Sequence, residues 1–210
     1  SAMAGPDPAC PISIDVPGHL FREPLERDFS GVKVAWSSDF GELPVDRAVR
    51  SVTDSGRDVV ESIGCELVET TPDWEGADEA FKTLRAWTFA QSLGDLPEEK
   101  RSFLKQTVRW NLEAGLACSG QDVARAEVLR SRLYVRIAEF MEEYEFMILP
   151  VSQVPPFDVR TAYPEEVAGV EMKTYIDWMK SSYFVSVVGL PALSLPFGFT
   201  EEGLPVGIQI

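Results

Sequence analysis

The sequence predicts an α/β fold in which helices flank a β-sheet. Short apolar segments at 32–36 and 65–69 stand on either side of an amphipathic segment, which is the pattern of a βαβ unit with parallel strands. A third apolar segment at 146–151 follows a long helical region, and two more close the chain around a turn at 201–203. The 210 residues are 45% apolar and include twelve Phe and five Trp, so they can bury a substantial core.

The first βα segment has clear signals at both ends of its helix. "VKVAW" (32–36) is a short apolar strand, and Asp46 is placed to cap the helix that follows it. Apolar residues recur along this helix as far as Ile63 and give it one apolar face. Gly64 can adopt the left-handed conformation that ends a helix, and "CELVE" (65–69) is then the second strand.

Three helical segments are predicted in the middle of the chain, at 76–92, 97–117 and 120–144. Pro97 stands at the start of the second segment, where a proline costs no backbone hydrogen bond. Ser119 and Asp122 have the spacing of a capping box at the start of the third. Apolar residues recur along that third segment at spacings of three and four, so we expect it to pack one continuous face against the core.

The last third of the chain is predicted to return to the sheet. "FMILPV" (146–151) is a buried type of strand, and three prolines hold residues 152–170 as a long loop, a kind of segment that is often functional. Residues 171–188 are predicted to form a helix. The two strands of "GLPALSLPFGFTEEGLPVGIQI" (189–210) then turn at Glu201-Glu202-Gly203.

Three stretches of the chain differ in character. Ser1-Ala2-Met3 is interpreted as a cloning remnant and is left out of the fold prediction. Residues 4–30 contain five prolines without sustained periodicity, so they are predicted to be an extended connector on the surface. Residues 31–210 carry the predicted strands and helices of the domain.

Charge and cysteine usage exclude several classes of partner. With 34 acidic and 19 basic residues, the formal net charge of −15 repels nucleic acid and anionic membrane surfaces, so neither is expected as a partner. Glycines and prolines interrupt the uncharged stretch at 181–199, so no membrane span is expected there. Cys10, Cys65 and Cys118 are far apart and have no metal-binding spacing, which favours a reducing, cytoplasmic location without disulfides or zinc.

No complete catalytic set is visible in the residue types and their spacing. His19 is the only histidine and lies in the predicted connector. Ser37-Ser38 follows a strand and Ser181-Ser182 precedes an apolar run, but neither pair has the flanking glycines of an oxyanion site, so capping or turn roles are favoured. The chain also lacks a GxGxxG motif. We therefore predict no catalytic residue, no metal and no cofactor within these 210 residues.

Four windows of the chain carry motifs that recur together in one protein family. The longest is residues 189–210, with a Gly-Leu-Pro-Ala strand, a short turn and a Gly-Leu-Pro-Val-Gly strand. The windows "AGPDPACPIS" (4–13), "VKVAWSSDFGELPVDRAVR" (32–50) and 115–156 precede it in the family's order, whereas 70–114 is the least diagnostic part. Together they resemble the amidase signature family over nearly the whole chain.

The resemblance implies part of an α/β/α fold, with a mixed β-sheet flanked by helices. It also implies a parent protein that hydrolyses a carboxylic amide with a Ser, a cis-Ser and a Lys, and with an oxyanion site in a Gly-Gly-Ser-Ser-Gly type of stretch. This chain contains no such stretch and Lys33 lies in another context, so none of these residues is carried over. Leu149-Pro150-Val151 also stands where the family usually has Thr-Pro-Thr. The chain is thus interpreted as the carboxy-terminal part of an amidase, inactive by itself.

The loop after the third strand is predicted to line the substrate pocket. Ligands of α/β sheets collect beyond the carboxyl ends of parallel strands, and "FMILPV" leads directly into Ser152 and Gln153. Gln153 offers a donor and an acceptor to an amide, Phe157 offers an apolar wall, and Trp178 is large enough to close the other side. The alternative is that the two aromatic residues belong to the core and that Gln153 is a solvated loop residue.

Two functions remain open from the sequence. The first is an amidase-type hydrolase of a small-molecule amide, for which this chain supplies scaffold and part of the pocket. The second is a non-catalytic scaffold or subunit fragment within an amidotransferase-type assembly. In either case part of a shared sheet leaves strand edges and apolar faces uncovered, so the isolated chain is expected to self-associate.

Overall fold

A computed structural model describes residues 5–210, so the predicted cloning remnant at 1–3 lies outside the described residues. The strands are β1 (Lys33–Trp36), β2 (Glu66–Glu69), β3 (Phe146–Pro150), β4 (Glu166–Val167), β5 (Val170–Glu171), β6 (Ser194–Phe199) and β7 (Pro205–Gln209). The α-helices are α1 (Arg47–Ser55), α2 (Arg57–Ser62), α3 (Ala77–Leu93), α4 (Glu98–Arg101), α5 (Gln106–Ala117), α6 (Gly120–Phe140) and α7 (Lys180–Val188). Short 3-10 helices lie at Gly18–Arg22 and Asp177–Met179.

The main sheet has five strands in the order β2-β1-β3-β7-β6. β1 is parallel to β2 and to β3, whereas β7 is antiparallel to both of its neighbours. The predicted mixed sheet is therefore confirmed. Because β7 runs against β3 and Pro150 pairs with Ile208, the beginning of β7 extends beyond the carboxyl end of β3, beside the loop that follows it.

Helices cover both faces of this sheet. Side chains of a strand alternate between its faces, so Ile148 and Leu149 of β3 belong to different cores. Leu149 packs in a cluster with residues of α3, α6 and α7, and Ile148 packs in a cluster that Val60 of α2 also contacts. Val49 of α1 packs against Val206 of β7. The result is the three-layer α/β/α arrangement that was predicted.

Several helix boundaries follow from local capping, as predicted. The carboxylate of Asp46 accepts a hydrogen bond from the Ala48 N–H at 2.8 Å at the start of α1. At the start of α6 the Ser119 hydroxyl accepts from the Asp122 N–H, and the Asp122 carboxylate accepts from the Ser119 N–H. This reciprocal pair is the capping box predicted from the sequence.

The single helix predicted up to residue 63 is in fact two helices, because the chain breaks at Gly56. A Cβ atom at Gly56 would lie 2.1 Å from the ring of Phe197, so the aromatic ring of β6 occupies the space that a side chain would need. The predicted apolar face is also shorter than expected, since Val59 and Ile63 are exposed.

Two further helix predictions require correction. The segment predicted as one helix over 97–117 consists of α4 and α5, and the Arg101 guanidinium folds α4 back by donating to the Gly94 and Leu96 carbonyls. The segment predicted as a helix over 171–188 is helical only from residue 177 onward. Before it, Ala168 and Gly169 both have positive φ and form the tight turn of the β4–β5 hairpin.

Residues 5–30 lie mostly exposed along the surface and contain only the short 3-10 helix. The predicted boundary at residue 31 stays a prediction. None of the helices in the described part of the chain is both long and apolar enough to cross a membrane.

Candidate substrate pocket

A pocket of about 270 Å³ lies just beyond the carboxyl end of β3, between the loop that follows this strand and the beginning of β7. We call it the β3 pocket. Its lining residues are Val49, Val151, Ser152, Val154, Pro155, Pro156, Phe157, Trp178, Pro205, Val206 and Gly207. These residues carry no charged group, and Ser152 contributes the one side-chain hydroxyl among them. Residues of the loop after β3 therefore line this pocket, whose surroundings suit an apolar group, and the substrate role predicted for the loop stays a prediction.

Phe157 and Trp178 form an aromatic wall of the β3 pocket. Their rings meet edge to face, with centroids 5.3 Å apart and an angle of 88° between the planes. Phe157 comes from the loop after β3, and Trp178 comes from the 3-10 helix before α7. Phe157 is 41% exposed, so part of this aromatic wall is open to solvent. Two residues that the sequence analysis singled out are thus brought together.

The Ser152 hydroxyl lines the pocket but also closes a turn of its own loop. It donates to the Val154 carbonyl at 2.7 Å and accepts from the Val154 N–H at 3.3 Å. Such a turn fixes the direction of the chain before Pro155 and Pro156, whose rings restrict the backbone further. The loop therefore presents its valine and proline side chains in a defined conformation.

Gln153 lies behind the wall and is fully buried. Its side-chain amide donates to the Pro44 carbonyl at 2.9 Å, and its side-chain carbonyl accepts from the Ser181 N–H at 3.4 Å. Its backbone carbonyl accepts from the Asp46 N–H at 2.7 Å. The donor and acceptor that were expected to face a ligand are therefore used within the fold, because buried backbone groups need partners of their own.

A second glutamine and two serines hold the carboxyl end of β3 from the other side. The Gln209 side-chain amide donates to the Pro150 carbonyl at 3.0 Å and to the Ser181 carbonyl at 2.9 Å. The hydroxyls of Ser181 and Ser182 both donate to the Val151 carbonyl. The Ser181-Ser182 pair therefore bonds to a distant segment and does not have the capping or turn role that was favoured from the sequence. A glutamine inside the apolar run "VGIQI" is the signal that could have revealed this bonding.

Sequence reasoning missed the part of the pocket that α1 and β7 provide. Val49 and Val206 are core residues of two elements far apart in the chain, and both reach the pocket. Gly207 lies next to Val206, and a Cβ atom there would be 3.0 Å from the Leu195 carbonyl oxygen and 3.1 Å from Val151. A glycine inside a strand often marks such a close approach, so the Pro-Val-Gly motif was a usable signal.

Charged side chains lie next to the segment that carries Trp178. The Lys82 ammonium group of α3 is 2.7 Å from the Asp177 carboxylate and 3.0 Å from the Asp78 carboxylate. Lys180 approaches Asp78 at 3.7 Å. Asp177 directly precedes Trp178, so this cluster joins α3 to the segment that carries the indole. We call these four charged residues, Asp78, Lys82, Asp177 and Lys180, the Lys82 cluster.

The Lys82 cluster contains two ammonium groups and two carboxylates, so its formal charges cancel. Burial disfavours the charged forms, but two carboxylate partners still hold the pKa of Lys82 above its ordinary value. Burial likewise opposes ionisation of Asp177, but hydrogen bonds from Lys82 and Thr174 hold its pKa below the ordinary value. Burial, followed by a hydrogen bond to Asp78, raises the pKa of the Tyr183 hydroxyl, which therefore stays protonated and donates. Within residues 5–210, no three His, Cys, Asp or Glu side chains are arranged to hold a metal ion.

The sequence of this chain is similar to a known protein family and to several curated proteins. The Amidase family model matches residues 1–210. An acylamidase of Rhodococcus erythropolis is 30% identical over 212 residues, which cover 99% of this chain and 44% of the relative. A glutamyl-tRNA(Gln) amidotransferase subunit of Thermodesulfovibrio yellowstonii is 24% identical, with 100% of this chain and 47% of the relative covered. The chain thus spans about half the length of the curated relatives that it matches.

The fold agrees with a solved structure of the same family. A bacterial aryl acylamidase of the amidase signature enzymes superposes with a TM-score of 0.82 at 20% sequence identity. The superposition covers 98% of this chain and 44% of that enzyme. Since the family model matches the chain from end to end and the three-layer fold is the same, this chain belongs to the amidase signature family.

Proposed function

We propose that the full-length protein containing this chain hydrolyses a carboxylic amide to an acid and ammonia or an amine. The observation that carries the proposal is the family match over all 210 residues. The chain would supply scaffold and one side of the substrate pocket. The Ser, cis-Ser and Lys of the reaction would come from residues outside this chain, because it has no Gly-Gly-Ser-Ser-Gly type of stretch.

The lining of the β3 pocket supports an apolar substrate group. A charged group placed there would lose its water without meeting an opposite charge, since the lining residues are uncharged. An apolar acyl or amine group would instead bury its surface against Phe157, Trp178 and the valines. Ser152, Phe157 and Trp178 are thus proposed to form the wall, with Gln153 fixing the loop from behind.

The proposal is tested with the full-length protein and a panel of amides that differ only in acyl group. We expect amides with phenyl or branched apolar acyl groups to have higher kcat/KM than amides with charged acyl groups. Phe157→Ala and Trp178→Ala should each change this ranking by about tenfold, which corresponds to about 1.4 kcal/mol. Phe103→Ala is the matched control, because Phe103 is 88% exposed and lies between α4 and α5.

Two results would contradict the proposal in different ways. If the protein releases no acid from any amide of the panel, the amidase assignment fails. If it hydrolyses amides but both pocket variants retain the parental ranking, then the β3 pocket is not the site that selects the substrate.

The alternative is that this chain is a scaffold or subunit fragment within an amidotransferase-type assembly, whose parent subunit would take its amide nitrogen from glutamine. It is supported by similarity to curated glutamyl-tRNA(Gln) amidotransferase subunits. The uncharged lining of the β3 pocket argues against it, because free glutamine carries two charged groups that need partners. Release of ammonia from glutamine, but from no amide with an apolar acyl group, would favour this alternative.

A further inference from the structure

We infer that the ion pair between Lys82 and Asp177 positions Trp178 in the wall of the β3 pocket. Lys82 lies on α3 and is not one of the residues that line the pocket. It is therefore a positioning residue that acts through Asp177 on the indole next to it. The effect on substrate choice rests on the proposed function, whereas the position of the indole can be measured independently.

The segment that carries Trp178 has little secondary structure to hold it. The 3-10 helix Asp177–Met179 is three residues long, and few backbone hydrogen bonds fix it. The Asp177 carboxylate provides further bonds, since one oxygen accepts from the Thr174 N–H at 2.7 Å and the other accepts from Lys82 at 2.7 Å. One side chain therefore closes the turn and ties it to a helix of 17 residues.

The indole of Trp178 has no polar anchor of its own. Its N–H is buried and has no hydrogen-bond partner among the described residues. Its aromatic neighbour Phe157 lies on a loop and is 41% exposed. The position of the indole therefore depends on its backbone, and the side chain of the preceding residue controls that backbone.

Partial burial strengthens the attraction between Lys82 and Asp177. The Asp177 side chain is 10% exposed and the Lys82 side chain is 30% exposed, so water screens their attraction less than at an open surface. Without the Lys82 ammonium group, the Asp177 carboxylate would lose the cation it contacts and would stand near the Asp78 carboxylate, beside which Lys180 remains. Moving toward water would relieve this repulsion, and the adjacent Trp178 would be displaced with it.

The experiment compares Lys82→Met with Lys180→Met in the full-length protein. Methionine keeps most of the length of the side chain but removes the charge. Lys180 is the matched control because the structure pairs it with Asp78 and not with Asp177. The fluorescence of Trp178 is isolated by subtracting the spectrum of the same variant that also carries Trp178→Phe.

We expect Lys82→Met to increase quenching of the Trp178 signal by acrylamide, whereas Lys180→Met leaves it unchanged. Lys82→Arg should restore the parental value, since arginine keeps the positive charge. In the amide panel, Lys82→Met should change the acyl ranking by about tenfold, and this change should disappear when Trp178 is already alanine.

Unchanged quenching of Trp178 in Lys82→Met would overturn the inference, whether or not the protein hydrolyses amides. An equal increase in Lys180→Met would also overturn it, because the effect would then belong to general loosening. If Lys82→Met does not fold, Asp177→Asn replaces it, since asparagine keeps the shape and its one side-chain oxygen can still accept from the Thr174 N–H, whereas the charge and the acceptor that hold Lys82 are lost. A protein without amidase activity but with the expected quenching would refute the proposed function and retain this inference.

Discussion

Replacing Gln153 with alanine should destabilise the full-length protein rather than merely alter a ligand contact. The side chain is fully buried and joins the loop after β3 to the Pro44 carbonyl and the Ser181 N–H. Alanine would leave both backbone groups without a partner in the interior. The ligand contact predicted for Gln153 from the sequence would instead give a changed substrate ranking in a protein that still folds.

The magnitude follows from the bonds that are lost. A buried acceptor such as the Pro44 carbonyl costs about 2 kcal/mol when its partner is removed. The bond from the Ser181 N–H is long, at 3.4 Å, so its loss costs about 1 kcal/mol. The substitution also loses the packing of the Gln153 side chain and removes the entropy cost of ordering that side chain. These two contributions to the free energy of unfolding are of similar size and opposite sign. The free energy of unfolding should therefore fall by about 3 kcal/mol.

Urea denaturation of the full-length protein measures this loss. Gln91→Ala is the matched control, because Gln91 lies on the exposed face of α3 and should change the free energy of unfolding by less than about 0.5 kcal/mol. Gln153→Glu provides a second test, since it keeps the volume but places a carboxylate oxygen against the Pro44 carbonyl. We expect it to be at least as destabilising as alanine near neutral pH.

A different result would refute this reasoning. If Gln153→Ala unfolds at the same urea concentration as the parent and instead changes the acyl ranking by about tenfold, then Gln153 contacts the substrate. Equal stability of Gln153→Glu and the parent would show that the bond to Pro44 contributes nothing.

Three further predictions concern the isolated chain and the Lys82 cluster. The 210-residue chain should release no acid from the amide panel, and turnover that persists after alanine replaces both Ser-Ser pairs would reveal another catalytic group in it. The isolated chain should self-associate, because β6 is an edge strand with Phe199 70% exposed. Light scattering should show association that Phe199→Lys weakens, whereas a monomer at all concentrations would contradict it. Because the pKa of Asp177 is lowered in the folded state, its ionised form stabilises the protein above about pH 4, and this stabilisation is lost as pH falls through the lowered pKa. The stability difference between the parent and Asp177→Asn should therefore shrink below about pH 4, and a constant difference would refute this.

Local signals in the sequence were sufficient to predict much of the secondary structure. The cap at Asp46, the capping box at Ser119 and the final hairpin each depend on residues within one turn or one strand pair. Their partners are close in the chain, so spacing alone identifies them. The same holds for the strand that leads into the pocket loop, because an apolar run followed by prolines is itself a local pattern.

Contacts between side chains and groups far apart in the chain were decided only by the tertiary structure. Gln153 bonds to a carbonyl 109 residues away, and Lys82 meets Asp177 across 95 residues. Gly56, where the predicted helix is divided in two, has no room for a side chain because the ring of Phe197, 141 residues away, occupies that space. A sequence shows that a glutamine can donate and accept, but packing decides which groups are buried beside it. The sequence therefore determined where the pocket loop lies, and the tertiary structure determined which of its residues face the pocket and which support it from behind.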